Sequence, residues 1–110
     1  MKIEYKTNRL KKQFANASEI KKAFGEMAKK VSVRLSEIIS SPTLAVLIQL
    51  PGPKCHALQG DRLGEWAVTI SPNHRLIFEI DHDPIPLNAD KSVDTRKVTD
   101  IQITGTEDYH

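Results

Sequence analysis

Two alternating segments separated by two residues constrain this chain more than any other feature. Glu65–Ser71 and His74–Ile80 flank the dipeptide Pro72–Asn73. This is a β-hairpin signal, and its proline stands in the turn, where no ladder amide is needed. Side chains in a strand alternate between the two faces. Leu76, Phe78 and Ile80 therefore point one way, and Arg75, Ile77 and Glu79 the other. The hairpin is predicted to bury one face and to carry a lone arginine on its opposite face. A polar loop, Gln59–Gly60–Asp61–Arg62, precedes it, with His56 just ahead, and the sequence ends on Glu107, Asp108, Tyr109 and His110. The hairpin reads as a platform on which His56, Arg75 and the C-terminal residues meet.

The N-terminal half supplies what that platform packs against. Lys2–Lys6 alternates as a short strand. Asn8 is placed to cap a short helix, Arg9–Ala15, and Ser18 to cap a long one from Glu19 to about Ile39. The long helix carries Ile20, Phe24, Met27, Val31, Leu35 and Ile38 on one stripe, with Gly25 inside it. Lys21, Lys22, Lys29, Lys30 and Arg34 lie off the stripe, toward solvent or a partner. Pro42 at a first-turn position favours a helix of about two turns in Thr43–Leu50. Pro51–Gly52–Pro53 forces a loop. Asp81–Thr95, rich in Pro, Asp and Asn, reads as a long and partly mobile connection, and Lys97–Thr104 as a last strand. The expected fold is α+β: one domain over residues 1–110, with a small, mostly antiparallel sheet packed against N-terminal helices.

Several function classes are excluded at this level. One cysteine allows no internal disulfide and no cysteine-based zinc site, and it fits a reducing compartment. Cys55 reads as a small buried hydrophobe. Asp81–His82–Asp83 has ligand types, but neighbouring residues of an extended chain diverge, so no metal is assigned. No apolar run reaches membrane-spanning length, and the N-terminus has no signal-peptide core; the expected location is cytoplasmic, with no membrane partner. The net charge of +2 hides an asymmetry: residues 1–55 carry 11 Lys/Arg against 4 Asp/Glu, and residues 56–110 carry 5 against 10. The first half sums to +7 and the second to −5. The basic half offers phosphate-neutralising surface, or simply a solvated lysine-rich helix face.

The hairpin region and the tail resemble the RelE/ParE toxin superfamily, and within it the HigB-type branch, the plasmid-maintenance killer proteins. The matching stretches are Cys55-His56-Ala57-Leu58-Gln59-Gly60-Asp61, Gly64-Glu65-Trp66, His74-Arg75-Leu76-Ile77-Phe78 and Glu107-Asp108-Tyr109-His110. The resemblance implies a RelE-like, microbial-RNase-type fold. It also implies a ribosome-dependent mRNA endonuclease of a type II toxin–antitoxin system. The implied partners are a cognate helix-turn-helix antitoxin, the ribosome with its mRNA, and operator DNA only through the antitoxin. No cofactor is implied. Three departures stand out: Gln59 replaces the usual lysine, Asp81–Thr95 exceeds a tight turn, and the Ser40–Pro53 region is longer than in the smallest members.

Metal-free RNA cleavage by the 2′-OH needs a base, cationic stabilisation of the phosphorane and an acid for the 5′-oxygen. Histidine suits base or acid, and arginine suits phosphate because its planar fork stays charged. On the resemblance, His56, Arg75, Asp108, Tyr109 and His110 are the expected catalytic residues, with Lys54 and Arg62 as phosphate contacts. Which histidine is base and which acid stays open. Trp66 reads as packing. Two other readings use the same scaffold: a gyrase-directed toxin, against which the histidine and terminal Tyr-His speak, and a degenerate protein that only binds its antitoxin, which Gln59 keeps open.

Overall fold

In the computed structural model, residues 1–108 are described. The chain runs β1 (Lys2–Tyr5), α1 (Asn8–Gln13), α2 (Ala17–Phe24), α3 (Ala28–Ser40), α4 (Leu44–Gln49), β2 (His56–Ala57), β3 (Glu65–Ser71), β4 (His74–Ile80) and β5 (Asp100–Asp108). The strands form one five-stranded sheet in the order β1-β5-β4-β3-β2. Only β1, against β5, is parallel; the other pairings are antiparallel. This is the expected α+β architecture, and the β3–β4 hairpin falls on its expected residues.

The core lies between one face of the sheet and the helices. Val68, Ile70, Leu76, Phe78, Ile101 and Ile103 come from the strands, and Phe14, Ile20, Val31, Ile38, Leu44 and Leu47 from the helices. Phe14 stacks on Tyr5 and meets Phe24 in a tilted contact, tying β1, α1 and α2 together. Trp66 stacks on Phe78 at 6.4 Å, a packing role as expected. The Met1 ammonium donates to the carbonyls of Ile38, Ile39 and Ser41 at the end of α3. A cation is favourable there because the last carbonyls of a helix are unpaired and carry its negative pole. Cys55 is buried as expected, and burial pushes its thiol pKa up to about 12.

Four local expectations are corrected. The long helix is two. Gly25 ends α2 with φ +55°, a 3₁₀ turn covers Gly25–Met27, and α3 starts at Ala28. Glycine adopts this left-handed conformation without the Cβ penalty, so the chain can turn there. The caps also come earlier: Thr7 accepts from the Leu10 amide and Asn16 from that of Glu19. Arg34 is not at the surface. Its side chain is 10% exposed, its Nε donates to the Thr69 carbonyl at 2.6 Å and its Nη1 to Glu37. The Thr69 carbonyl is available because the β3–β4 ladder slips between Thr69 and Ser71. Finally, the last strand starts at Asp100, because Asp94 caps a 3₁₀ turn at Thr95–Lys97.

The connection after β4 is long, as expected, and closes on itself. Leu87 bridges Val93, Asn88 and Ser92 pair through backbone and side chain, and the Asp94 amide donates to Pro86. His82 Nε2 accepts from the amides of Thr99 and Asp100, tying the connection to the start of β5. Within 81–83, the histidine therefore has a backbone-pinning role. No helix among the described residues is long and apolar enough to cross a membrane.

Candidate functional site

The sheet face opposite the helices is built in rows. Cross-strand pairing aligns His56, Ala67, Ile77 and Gly105 in one row, and Thr69, Arg75 and Glu107 in the next. Directly paired residues share a face. Leu58, Ala67 and Ile77 pack together there as a small second apolar cluster. Hence His56, on an edge strand that the sequence reading did not include, and Arg75 on β4 stand on the same face. Strand spacing and rise put their Cα atoms about 12 Å apart.

Glu107 reaches this face only through an irregularity. Phe78 pairs with Ile103, but Ile77 pairs with Gly105, so Thr104 is an extra residue in β5. Strict alternation from Ile101 and Ile103 would put Gly105 and Glu107 in the core. The bulge turns both to the open face. Thr104 Oγ1 donates to the Ile77 carbonyl beside the irregularity.

Arg62, Glu65, Arg75 and Glu107 form one network. Arg62 donates from Nε and Nη2 to both oxygens of Glu65 at 2.7 and 3.0 Å. It also donates from Nη1 and Nη2 to both oxygens of Glu107 at 3.1 and 2.9 Å. Arg75 Nε donates to Glu107 Oε1 at 2.6 Å, and its Nη2 pairs with the same oxygen. Bidentate arginine–carboxylate pairs of this kind fix both position and orientation. Hydrogen bonding from Arg62 holds the Glu107 carboxyl below its ordinary pKa, with Arg75 adding to the effect, and Arg62 does the same for Glu65. Those two carboxylates in turn push the Arg62 pKa up. Glu65 also pairs directly with Glu79 across the hairpin, and Arg62 offsets that repulsion. The loop that delivers Arg62 needs glycine at both ends: Gly60 and Gly64 have φ of +67° and +97°.

A cleft of about 170 Å³ lies beside the network, lined by Arg62, Glu65, Ile77, Thr104, Gly105 and Glu107. Gly105 has an ordinary backbone, yet a Cβ there would meet nothing within 4 Å. It keeps the floor of the cleft at backbone height.

No protein-family model and no curated protein sequence matches the chain. Solved structures do. A YoeB/ParE toxin from Agrobacterium tumefaciens has a TM-score of 0.54 at 14% identity, covering 100% of both chains. The YoeB-YefM complex from Staphylococcus aureus has a TM-score of 0.55 at 18% identity, covering 100% of this chain and 97% of that one. A YafQ mutant from E. coli has a TM-score of 0.52 at 18% identity, covering 96% and 90%. This is the fold of the RelE/ParE toxins.

On this toxin fold the expected site residues divide. Arg75 and Arg62 come together, and Arg62 moves from an accessory position to the centre. His56 is exposed on β2, and its Nδ1 donates to the Lys54 carbonyl at 2.9 Å in the neutral ring. The proton is then on Nδ1, leaving the Nε2 lone pair as acceptor. Lys54 is exposed in the loop before β2, with φ +49°. Asp108 ends β5 on the opposite side of the strand from Glu107, 3.5 Å from His74 Nε2, while His74 Nδ1 meets Ser71 Oγ at 2.9 Å. Tyr109 and His110 lie outside the described residues. Sequence reading missed Glu65, Glu107 and His74. Glu65 stands three residues after Arg62, a spacing that brings side chains together on a helical turn. Finding Glu107 required the strand register.

Proposed function

We propose that this chain is a HigB-type toxin of a type II toxin–antitoxin system, an endoribonuclease that cuts mRNA on the ribosome. One observation carries the reading: on a toxin fold, two arginines converge at the C-terminal strand, one row from an exposed histidine on the same sheet face. A phosphodiester held at Arg75 and Arg62 would place its ribose toward His56. The fixed His56 tautomer presents Nε2 as a lone pair, which suits the base that takes the 2′-OH proton. The 2′-oxygen then attacks phosphorus, the guanidinium groups bear the developing charge, and the 5′-oxygen leaves with a proton. That proton is assigned to His110, with Asp108 orienting and Tyr109 contacting phosphate or an unstacked base. Lys54 adds a cation at the edge. No metal or cofactor enters this scheme. The partners proposed are a helix-turn-helix antitoxin, the ribosome and mRNA, and the setting is the cytoplasm. That a YoeB toxin forms a complex with YefM supports an antitoxin partner.

A binding-only reading has one observation in its favour: Glu107 and Glu65 cancel the charge of the two arginines. The experiment that separates the readings is induction of the chain in cells lacking an antitoxin, with mRNA 5′ ends mapped before and after. New cuts confined to translated frames are expected. They should disappear in Arg75→Ala and His110→Ala while antitoxin binding persists. Growth arrest with intact mRNA overturns the nuclease reading and points to another target such as gyrase. No arrest and no cuts assigns the chain to antitoxin binding alone.

A further inference from the structure

We infer that Glu107 is a built-in occupant of the phosphate site: its carboxylate lies where a backbone phosphate of bound RNA would lie, and RNA binds by displacing it. The identity of the ligand rests on the RNA-cleaving reading above; the self-occupied anion site rests on the geometry alone. Both oxygens of Glu107 are held by Arg62, and one also receives Nε of Arg75. Two guanidinium forks around one planar anion is the arrangement that also grips two oxygens of a phosphodiester. Glu65 engages a different edge of Arg62, through Nε and Nη2. Arg62 therefore stays in place when Glu107 leaves, and only one carboxylate has to move. The cleft over Gly105 and Ile77 provides open space beside the exchange.

The charge count gives the arrangement its consequence. Glu65 and Glu107 offset the charges of Arg62 and Arg75 within the network, so the resting centre exerts less pull on a polyanion than the bare arginines would. Once Glu107 swings aside, the network gains one positive charge next to the incoming phosphate. The energy of the Arg–Glu107 contacts is thus subtracted from the energy of binding RNA. Without the ribosome to add its own contacts, the chain should hold single-stranded RNA weakly. Glu107 is a poor proton acceptor while both arginines hold it, so it competes for the site rather than serving as the base.

The test is the affinity of the full chain for a short single-stranded RNA carrying 2′-O-methyl groups, which cannot be cut by 2′-OH attack. The Nε–Hε resonances of Arg62 and Arg75 are followed by NMR. Glu107→Gln should bind about tenfold more tightly, because the competing charged contacts are lost. Glu26→Gln is the charge-matched control. It is exposed in the 3₁₀ turn between α2 and α3, in the helical layer on the other side of the sheet from Arg62 and Arg75. The sheet separates it from the anion site, and the control should change affinity less than about twofold. Unchanged or weaker binding by Glu107→Gln overturns the inference, as does an equal gain in the control. Should Glu107→Gln fail to fold, Glu107→Thr is read the same way. Failure of both assigns Glu107 to stability and overturns it too. Tighter binding without mRNA cuts leaves the self-occupied site standing and removes the nuclease reading; cuts without tighter binding do the reverse.

Discussion

Gly105→Val should make this protein more stable and less active. Gly105 sits within β5 opposite Ile77, its φ is not in the left-handed region, and its Cβ position is empty to 4 Å. Nothing in the fold therefore requires glycine. A glycine in a strand carries a conformational-entropy cost that a β-branched residue avoids, and valine suits a pleated surface. Together these predict a gain of about 0.5–1.5 kcal/mol in unfolding free energy, or about 2–6 °C in melting temperature for a chain of this size. The three added carbons would stand on the floor of the 170 Å³ cleft beside Arg62 and Glu107. A backbone phosphate or ribose seated there would lose its approach, and cleavage should fall by at least about tenfold, which is 1.4 kcal/mol at the barrier. Urea denaturation reads the first effect and mRNA cleavage in a translation extract the second. A variant that is more stable and cleaves fully would show that RNA does not pass over Gly105. One that loses more than about 1 kcal/mol would refute the open space itself.

Further outcomes follow from the same contacts. Arg34→Ala should cost about 2–3 kcal/mol, because it strips a charge-assisted bond from the Thr69 carbonyl and leaves Glu37 alone; denaturant midpoints measure this, and a loss under 0.5 kcal/mol would make the burial incidental. Stability should fall with acid below about pH 5.5. The sign is set by Glu65 and Glu107, whose folded pKa values lie below the ordinary 4.5: the unfolded chain binds more protons, so the contribution is present above 4.5 and lost as pH drops through the folded values. Asp94 and Asp90 are shifted the same way and add to the slope. A Glu65→Gln, Glu107→Gln double variant should flatten the acid limb in pH-resolved urea titrations. Cys55, with its pKa pushed up to about 12, should react with thiol reagents at pH 8 far more slowly than free cysteine; rapid labelling of folded protein would contradict its burial.

Much of the architecture was legible because it is written locally. Alternation over Glu65–Ile80 fixed both hairpin strands, their turn and their faces, so Leu76 and Phe78 are in the core and Arg75 is opposite. Burial of Cys55 and the α4 segment followed from equally local cues. The helix break was hinted at by Gly25, but whether a glycine bends a helix depends on what its neighbours pack against. Phe24 lying on Phe14 settles that here.

The sequence by itself determined the α+β class, the hairpin platform and the face on which Arg75 stands, since a two-residue period needs no knowledge of distant partners. Tertiary structure decided the rest. The bulge at Thr104 exists only as a mismatch between β4 and β5, and it alone turns Glu107 from the core side to Arg75. Arg34 is inside because a slipped ladder leaves the Thr69 carbonyl for it, and Arg62 is central because a loop bounded by Gly60 and Gly64 folds over the sheet. Each depends on pairing between residues far apart in the chain, where the register of one strand against another, and not the order of residues along either, sets which side chains meet.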